Sequence, residues 1–243
     1  MPYLKKIRLD EMPPASSYLS RLPVVRFLSS VEALPLEKPV TFFVGENGTG
    51  KSTLLEAIAV CLGFNPEGGS LDHAFSTKDT HSDLSRFLSV GRAASPKDAF
   101  FLRAESFYNA ASYLDETSPL RRYGGVSLHA QSHGEAFLSL IENRFEGDGL
   151  YLLDEPEAAL SPQRLLTLLV AVDRLVKNRS QFVIATHSPI LMAYPNADIL
   201  AFSESGLRKT TLRQTQAFRI TKQFLDDPDR MLHHLLKEDD TLG

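Results

Sequence analysis

Nine consecutive residues, GENGTGKST from Gly45 to Thr53, match the pattern G-x-x-x-x-G-K-[ST]. Chemistry on phosphates is what such a spacing can do. Gly45, Gly48 and Gly50 let the backbone curl tightly, so that the N–H groups of the loop, through Glu46, Asn47 and Thr49, can cradle phosphate oxygens at a helix N-terminus. Lys51 is then expected to reach the β and γ phosphates, Ser52 to place its hydroxyl on Mg²⁺, and Thr53 to line the α-phosphate side. Further along, GLYLLDEPEAAL ends an apolar run in Asp154 and Glu155. Two adjacent carboxylates at a strand end are costly to bury without a task. The expected tasks are Asp154 on Mg²⁺, through water, and Glu155 polarising an attacking water. FVIATHSP closes another apolar run with Thr186, His187 and Ser188, where His187 is either a satisfied structural residue or a contact to the γ-phosphate or attacking water. Finally QSHGEAF has Ser132 and Glu135 at capping-box spacing, around His133 and Gly134.

These residues need elements to hold them together. Four short apolar runs bounded by breakers, VTFFVG, AFFLRA, GLYLLDE and QFVIATHS, suit parallel strands buried on both faces. Helical patterns alternate with them in KSTLLEAIAVCL, GEAFLSLIENRF and SPQRLLTLLVAVDRLVKN, which predicts an α/β fold with a mostly parallel sheet. Ligands gather at the carboxyl ends of such strands, which would put His187 on one edge with Asp154 and Gly45. YLKKIRL and PVVRFLSSVEAL are expected to supply strands of a second, antiparallel layer. The span 63–98 is rich in Gly, Ser, Asp and Thr and reads as an irregular insertion in a single domain covering 1–243. From 198 to 243 the sequence predicts a hairpin around Ser205 and Gly206, followed by closing helices that cap the core.

With these pieces in order, the chain resembles the ABC-type ATPases. The phosphate loop (Walker A), SHGE in place of the usual S-G-G-Q signature, LYLLDEP (Walker B) with EAALSP, and ATHSP carry the resemblance. VGENGTGKSTLLEAIA, FFLRAESFYNAASYL, SHGEAF and THSPIL look more narrowly like small stand-alone bacterial AAA family ATPases related to SMC and RecF heads. The resemblance implies a P-loop NTPase of the ABC head type. Its features are a mostly parallel central sheet, an antiparallel β layer near the N-terminus and a reduced helical subdomain. It implies ATP and Mg²⁺ as ligands and an ATP-dependent homodimer paired head to tail, each ATP lying between one subunit's phosphate loop and Ser132, His133, Gly134 and Glu135 of the other. Ala159, Leu160 and Ser161 would lie on that interface. The family's Q-loop glutamine is missing: after AFFLR stand Ala104, Glu105 and Ser106, so that Glu105 either takes the role or pairs with Arg103. Tyr18 and Phe27 are the aromatic candidates for the adenine.

Bulk properties narrow the function classes. The 243 residues are 43% hydrophobic and 23% charged, ordinary values for a globular protein. One cysteine, Cys61, excludes an internal disulfide and fits a reducing compartment. No apolar signal core opens the chain and its most apolar windows are too short and too charged to span a bilayer, so a cytoplasmic protein without a membrane segment is expected. A net charge of −4 gives no whole-molecule attraction to nucleic acid. Three readings stand. The first is an ATP-hydrolysing conformational switch in DNA maintenance or defence, with nucleic acid or a separate effector protein as partner. The others are the nucleotide-binding subunit of an ABC transporter, and a nucleotide-gated scaffold with little turnover.

Overall fold

A computed structural model describes residues 2–71, 82–107, 111–112, 114–115, 120 and 125–236. Residues 72–81 of the 63–98 span, and Tyr108, Asn109, Ala110 and Tyr113 of FFLRAESFYNAASYL, lie outside the described residues. In chain order the strands are β1 (Leu4–Leu9), β2 (Leu34–Pro35), β3 (Val40–Gly45), β4 (Gly69–Ser70), β5 (Leu88–Arg92), β6 (Asp98–Arg103), β7 (Gly149–Asp154), β8 (Gln181–Ala185), β9 (Asp198–Ser203) and β10 (Gly206–Thr210). The α-helices are α1 (Pro23–Ser29), α2 (Lys51–Leu62), α3 (His133–Arg144), α4 (Pro162–Lys177), α5 (Pro189–Met192), α6 (Gln216–Asp226) and α7 (Pro228–Leu235).

The four apolar runs become β3, β6, β7 and β8, parallel neighbours inside a seven-stranded sheet of order β10-β9-β3-β8-β7-β6-β4. Only the edge strands β10 and β4 run antiparallel to their neighbours. Strand periodicity splits each run between two cores. Phe42, Phe100, Leu102, Tyr151, Leu153, Phe182 and Ile184 face the layer of α3 and α4. Phe43, Phe101, Leu152 and Val183 face α2 and a three-stranded antiparallel sheet of order β2-β1-β5. Burial on both faces explains why these strands read as continuous apolar runs. The α/β class with a mostly parallel sheet and a separate antiparallel layer is therefore the one expected.

Two local expectations differ from the structure. PVVRFLSSVEAL does not supply a long strand: Pro23–Ser29 is helical, with Pro in the first turn, where its fixed φ suits a helix, and Val24, Val25 and Leu28 buried. Only Leu34–Pro35 pairs with β1. The span 63–98, irregular by its breakers, supplies β4 and β5, and β5 completes the antiparallel layer against β1. Gly91 in β5 faces Lys6, whose side chain occupies the space a Cβ would need.

The hairpin after 198 is β9–β10, turning at Glu204–Ser205. Helices α6 and α7 follow it and bury no residue, leaving Leu225, Leu235 and Leu236 exposed. Among the described residues no helix is long and apolar enough to cross a membrane.

Candidate functional site

Parallel order sets the carboxyl ends of β3, β8, β7 and β6 side by side, and the residues with chemical potential emerge from them. At the end of β3, Gly45 (φ +141°), Gly48 (φ +79°) and Gly50 (φ +95°) adopt backbone conformations that L side chains rarely take. Gly45 is the tightest position, since a Cβ there would lie 2.3 Å from the Phe202 carbonyl oxygen on the paired strand β9. Gly45→Ala is expected to destabilise the fold by about 2–3 kcal/mol, through strain at a position that cannot relax. A lowered denaturant midpoint would register it; an unchanged midpoint would mean that β9 gives way at no cost.

The loop is held closed from inside. Lys51 is 4% exposed, and its Nζ donates to the Glu46 carbonyl at 2.9 Å, which also accepts from Thr49 Oγ1 at 2.8 Å. Burial pulls the Lys51 ammonium below its usual pKa, against the attraction of Glu155, Asp154 and Glu157. The lysine is thus a short move from any phosphate the loop accepts. In α2, Ser52 Oγ donates to Asp154 Oδ1 at 2.9 Å. Asp154 ends β7 at 6% exposure, and burial pushes its carboxyl up to about 6, opposed by the Arg103 guanidinium and the Ser52 hydroxyl. One hydroxyl and one carboxylate oxygen facing each other form a donor set suited to Mg²⁺, which shares its remaining positions with phosphates and water. The residues present fit that ion.

Glu155 follows with φ +50° and ψ +50°, a left-handed conformation rare outside glycine. Its N–H donates to the Ala185 carbonyl at 2.9 Å, tying the turn after β7 to the end of β8. Pro156 fixes the next residue in a short 3₁₀ turn. Strain of this kind collects where a side chain has to be aimed, and here it aims a carboxylate off the strand end. His187 reaches the same place from β8: its buried Nε2, which makes no hydrogen bond, lies 3.6 Å from Glu155 Oε1. Glu157 aims the histidine, accepting from Thr186 Oγ1 at 2.8 Å and from the His187 backbone N–H. Gly45–Thr53, Asp154, Glu155 and His187 therefore converge on one sheet edge.

The other candidates sit as follows. Ser132 is exposed at the N-cap of α3, and its hydroxyl is engaged: it donates to Glu135 Oε2 at 2.6 Å and accepts from Arg164 Nη1 at 3.3 Å. Ser132 N–H also donates to Glu135, whose other oxygen takes Arg164 Nη2 at 2.9 Å. Gly134 has a local reason: a Cβ would meet the Ala159 carbonyl at 2.8 Å and Arg164 at 2.6 Å. His133 packs edge-on to Phe107, 5.3 Å between centroids. Leu160 is buried and Ser161 caps α4. Glu105 points to solvent at 89% side-chain exposure, 3.7 Å from Arg103. Tyr18 is 60% exposed, whereas Phe27 packs against the α2 core.

Sequence reasoning passed over five residues: Glu56, Arg103 in its contact with Asp154, Glu157 under His187, Arg164, and Gln216. Glu56 had a readable signal, being one helical turn after Ser52 and hence on the same face of α2. Gln216, at the start of α6, donates to Glu46 Oε1 at 2.8 Å and so ties α6 to the phosphate loop. Nothing in the sequence pairs two residues this distant. A cavity of about 680 Å³ lies between loop and helix, lined by Gly45, Glu46, His187, Phe202, Gln216 and Ile220.

Two family profiles match, one described as an AAA domain over residues 25–98. The other, over residues 132–193, is described as "AAA domain, putative AbiEii toxin, Type IV TA system". The first span holds the phosphate loop; the second holds Ser132, Asp154, Glu155 and His187. No curated protein matches the sequence. Among solved structures, CbiO1 of Clostridium perfringens, part of the ABC transporter complex CbiONQ, is 17% identical over 97% of this chain and 99% of that one, with a TM-score of 0.52. The SMC head domain of Thermotoga maritima is 15% identical over 87% and 99%, with a TM-score of 0.46. The likeness to CbiO1 is one of fold.

Proposed function

We propose that this chain, with AAA-domain matches over 25–98 and 132–193 and a fold like that of CbiO1, binds ATP with Mg²⁺ and hydrolyses it between two copies paired head to tail. Closure and release of the pair would act as a conformational switch. The observation that carries this reading is the hydrogen bond of 2.9 Å from Ser52 to Asp154, which sets a hydroxyl and a carboxylate together beside a phosphate loop. When bound there, Mg²⁺ supplies charge neutralisation for the phosphate oxygens. Lys51 exchanges the Glu46 carbonyl for the β and γ phosphates. Glu155 orients a water and accepts its proton as the water oxygen bonds to the γ phosphorus; the bond to the β–γ bridging oxygen breaks and ADP departs. His187, facing Glu155, positions that water.

Ser132 would serve the partner's phosphate by trading its present contacts with Glu135 and Arg164, at a helix N-terminus where N–H groups and dipole favour an anion. Since γ-phosphate contacts across the pair exist only with ATP, hydrolysis biases the heads apart. A DNA-related or defence setting, with nucleic acid or an effector protein as partner, follows the resemblance to SMC and RecF heads.

Ser132→Arg tests the pairing. Losing the cap costs about 1 kcal/mol, which the fold can absorb. ATP binding is expected to stay within about threefold, under 1 kcal/mol, while phosphate release and the ATP-dependent dimer in size-exclusion chromatography are both lost. Turnover that survives would make SHGE a helix cap and defeat the paired site.

A further inference from the structure

Arg103 ends β6 at the same sheet edge, and the proposed hydrolysis leaves it without a role. The β6–β7 register sets Arg103 directly beside Asp154. Its side chain is 18% exposed, and its Nε lies 3.4 Å from Asp154 Oδ2 without making a hydrogen bond. The guanidinium is anchored from the other side: Nη1 donates to Glu56 Oε2 at 2.9 Å and to the Pro66 carbonyl at 3.2 Å. Glu56 is itself fixed, its Oε1 accepting the Ser82 N–H at 2.8 Å. So a partly buried cation is clamped by Glu56 within ion-pair distance of Asp154, yet makes no hydrogen bond to it.

We propose that Arg103 is a positioning residue that competes with the divalent cation for Asp154. In the nucleotide-free protein it compensates a cluster in which, among the described residues, Glu56, Asp154, Glu155 and Glu157 share Lys51 and Arg103 as neighbouring cations. Metal and nucleotide then load by exchange: Asp154 turns from guanidinium to metal, while Glu56 retains Arg103 close by, ready to return when ADP and metal leave. The long contact at Nε suits that task, because a fully bonded Arg–carboxylate fork would hold Asp154 too firmly to be exchanged. The inference rests on the reading that Ser52 and Asp154 face a divalent cation.

The test is the dissociation constant of Mn²⁺ for the full chain at saturating ADP, read from the paramagnetic resonance signal of free Mn²⁺. Arg103→Met keeps the apolar stem and removes the charge; Mn²⁺ binding is expected to tighten by about tenfold, as removal of a close competing charge at a partly screened site would give. Arg103→Lys keeps a charge and loses the planar fork, so its affinity should fall between the two. This second variant decides the matter if Arg103→Met does not fold. Mn²⁺ affinity that is unchanged or weaker in the folded variants would make Arg103 an architectural ion pair and overturn the exchange. If the parent protein shows no ADP-dependent Mn²⁺ binding, the nucleotide reading itself fails, and the exchange with it.

Discussion

Glu155→Gln is expected to lower ATP turnover by about 10²–10⁴-fold, the usual worth of a general base, while ATP still binds. Glutamine keeps the size and shape of the side chain but cannot take the proton of an attacking water. The backbone should not notice the change, because the left-handed turn is set by the Glu155 N–H on Ala185 and by Pro156, neither of which involves the carboxylate. Lys51, Ser52 and Asp154 are untouched, so nucleotide affinity should persist, and stalled hydrolysis should accumulate an ATP-bound dimer. Phosphate release, equilibrium ATP binding and size-exclusion chromatography with and without ATP check the three parts. Turnover within about threefold of the parent, less than 1 kcal/mol of barrier, would transfer the role of base to another group. His187 at 3.6 Å from Glu155 is the neighbour to vary next.

Asp154→Asn is expected to separate stability from function. Burial raises the Asp154 carboxyl to about 6 despite Arg103 and Ser52, so the folded protein binds this proton more tightly than the unfolded chain does, where the value is about 3.9. A carboxylate raised in this way contributes stability that is fully present below pH of about 4 and is lost as pH rises through about 6. At pH 8 the nucleotide-free protein therefore carries a cost of roughly 2–3 kcal/mol at this one side chain, which asparagine removes. In a chain of this size that corresponds to a melting temperature higher by about 4–10 °C at pH 8, with no gain at pH 4. The same variant should lose the extra thermal stability that Mg²⁺ and ATP confer on the parent, since stabilisation by ligand scales with affinity. Thermal unfolding at the two pH values, with and without nucleotide and metal, covers both statements. A lower melting temperature at pH 8 would mean that the attraction to Arg103 outweighs the burial.

Both variants rest on residues legible in the sequence. The phosphate loop declares itself because its geometry depends on local residue types: the backbone at Gly45, Gly48 and Gly50 is one that L side chains rarely adopt, and Lys51 and Ser52 follow immediately. Asp154, Glu155 and His187 were readable because each ends an apolar run, and a parallel sheet gathers strand ends on one edge. The central strands were legible for the same reason, since burial on both faces leaves an unbroken apolar string.

What stayed hidden is non-local. Whether PVVRFLS is strand or helix depends on what covers it, and the cover is β1, β9 and β10, elements from both ends of the chain. Strand β5 reads as loop because an edge strand draws its stability from pairing with β1 rather than from its own pattern. The neighbours that tune the site belong here too: Arg103 and Glu56 beside Asp154, Glu157 under His187, Arg164 on Ser132, Gln216 on Glu46. Each is an ordinary polar residue on its own element. Local residue types dictate which backbone curls tightly after β3 and which carboxylates stand at strand ends, because steric freedom and hydrophobic period act within a few residues. Tertiary structure alone decided which charges meet there, because hydrogen bonds and ion pairs act over a few ångströms between residues that the chain keeps far apart.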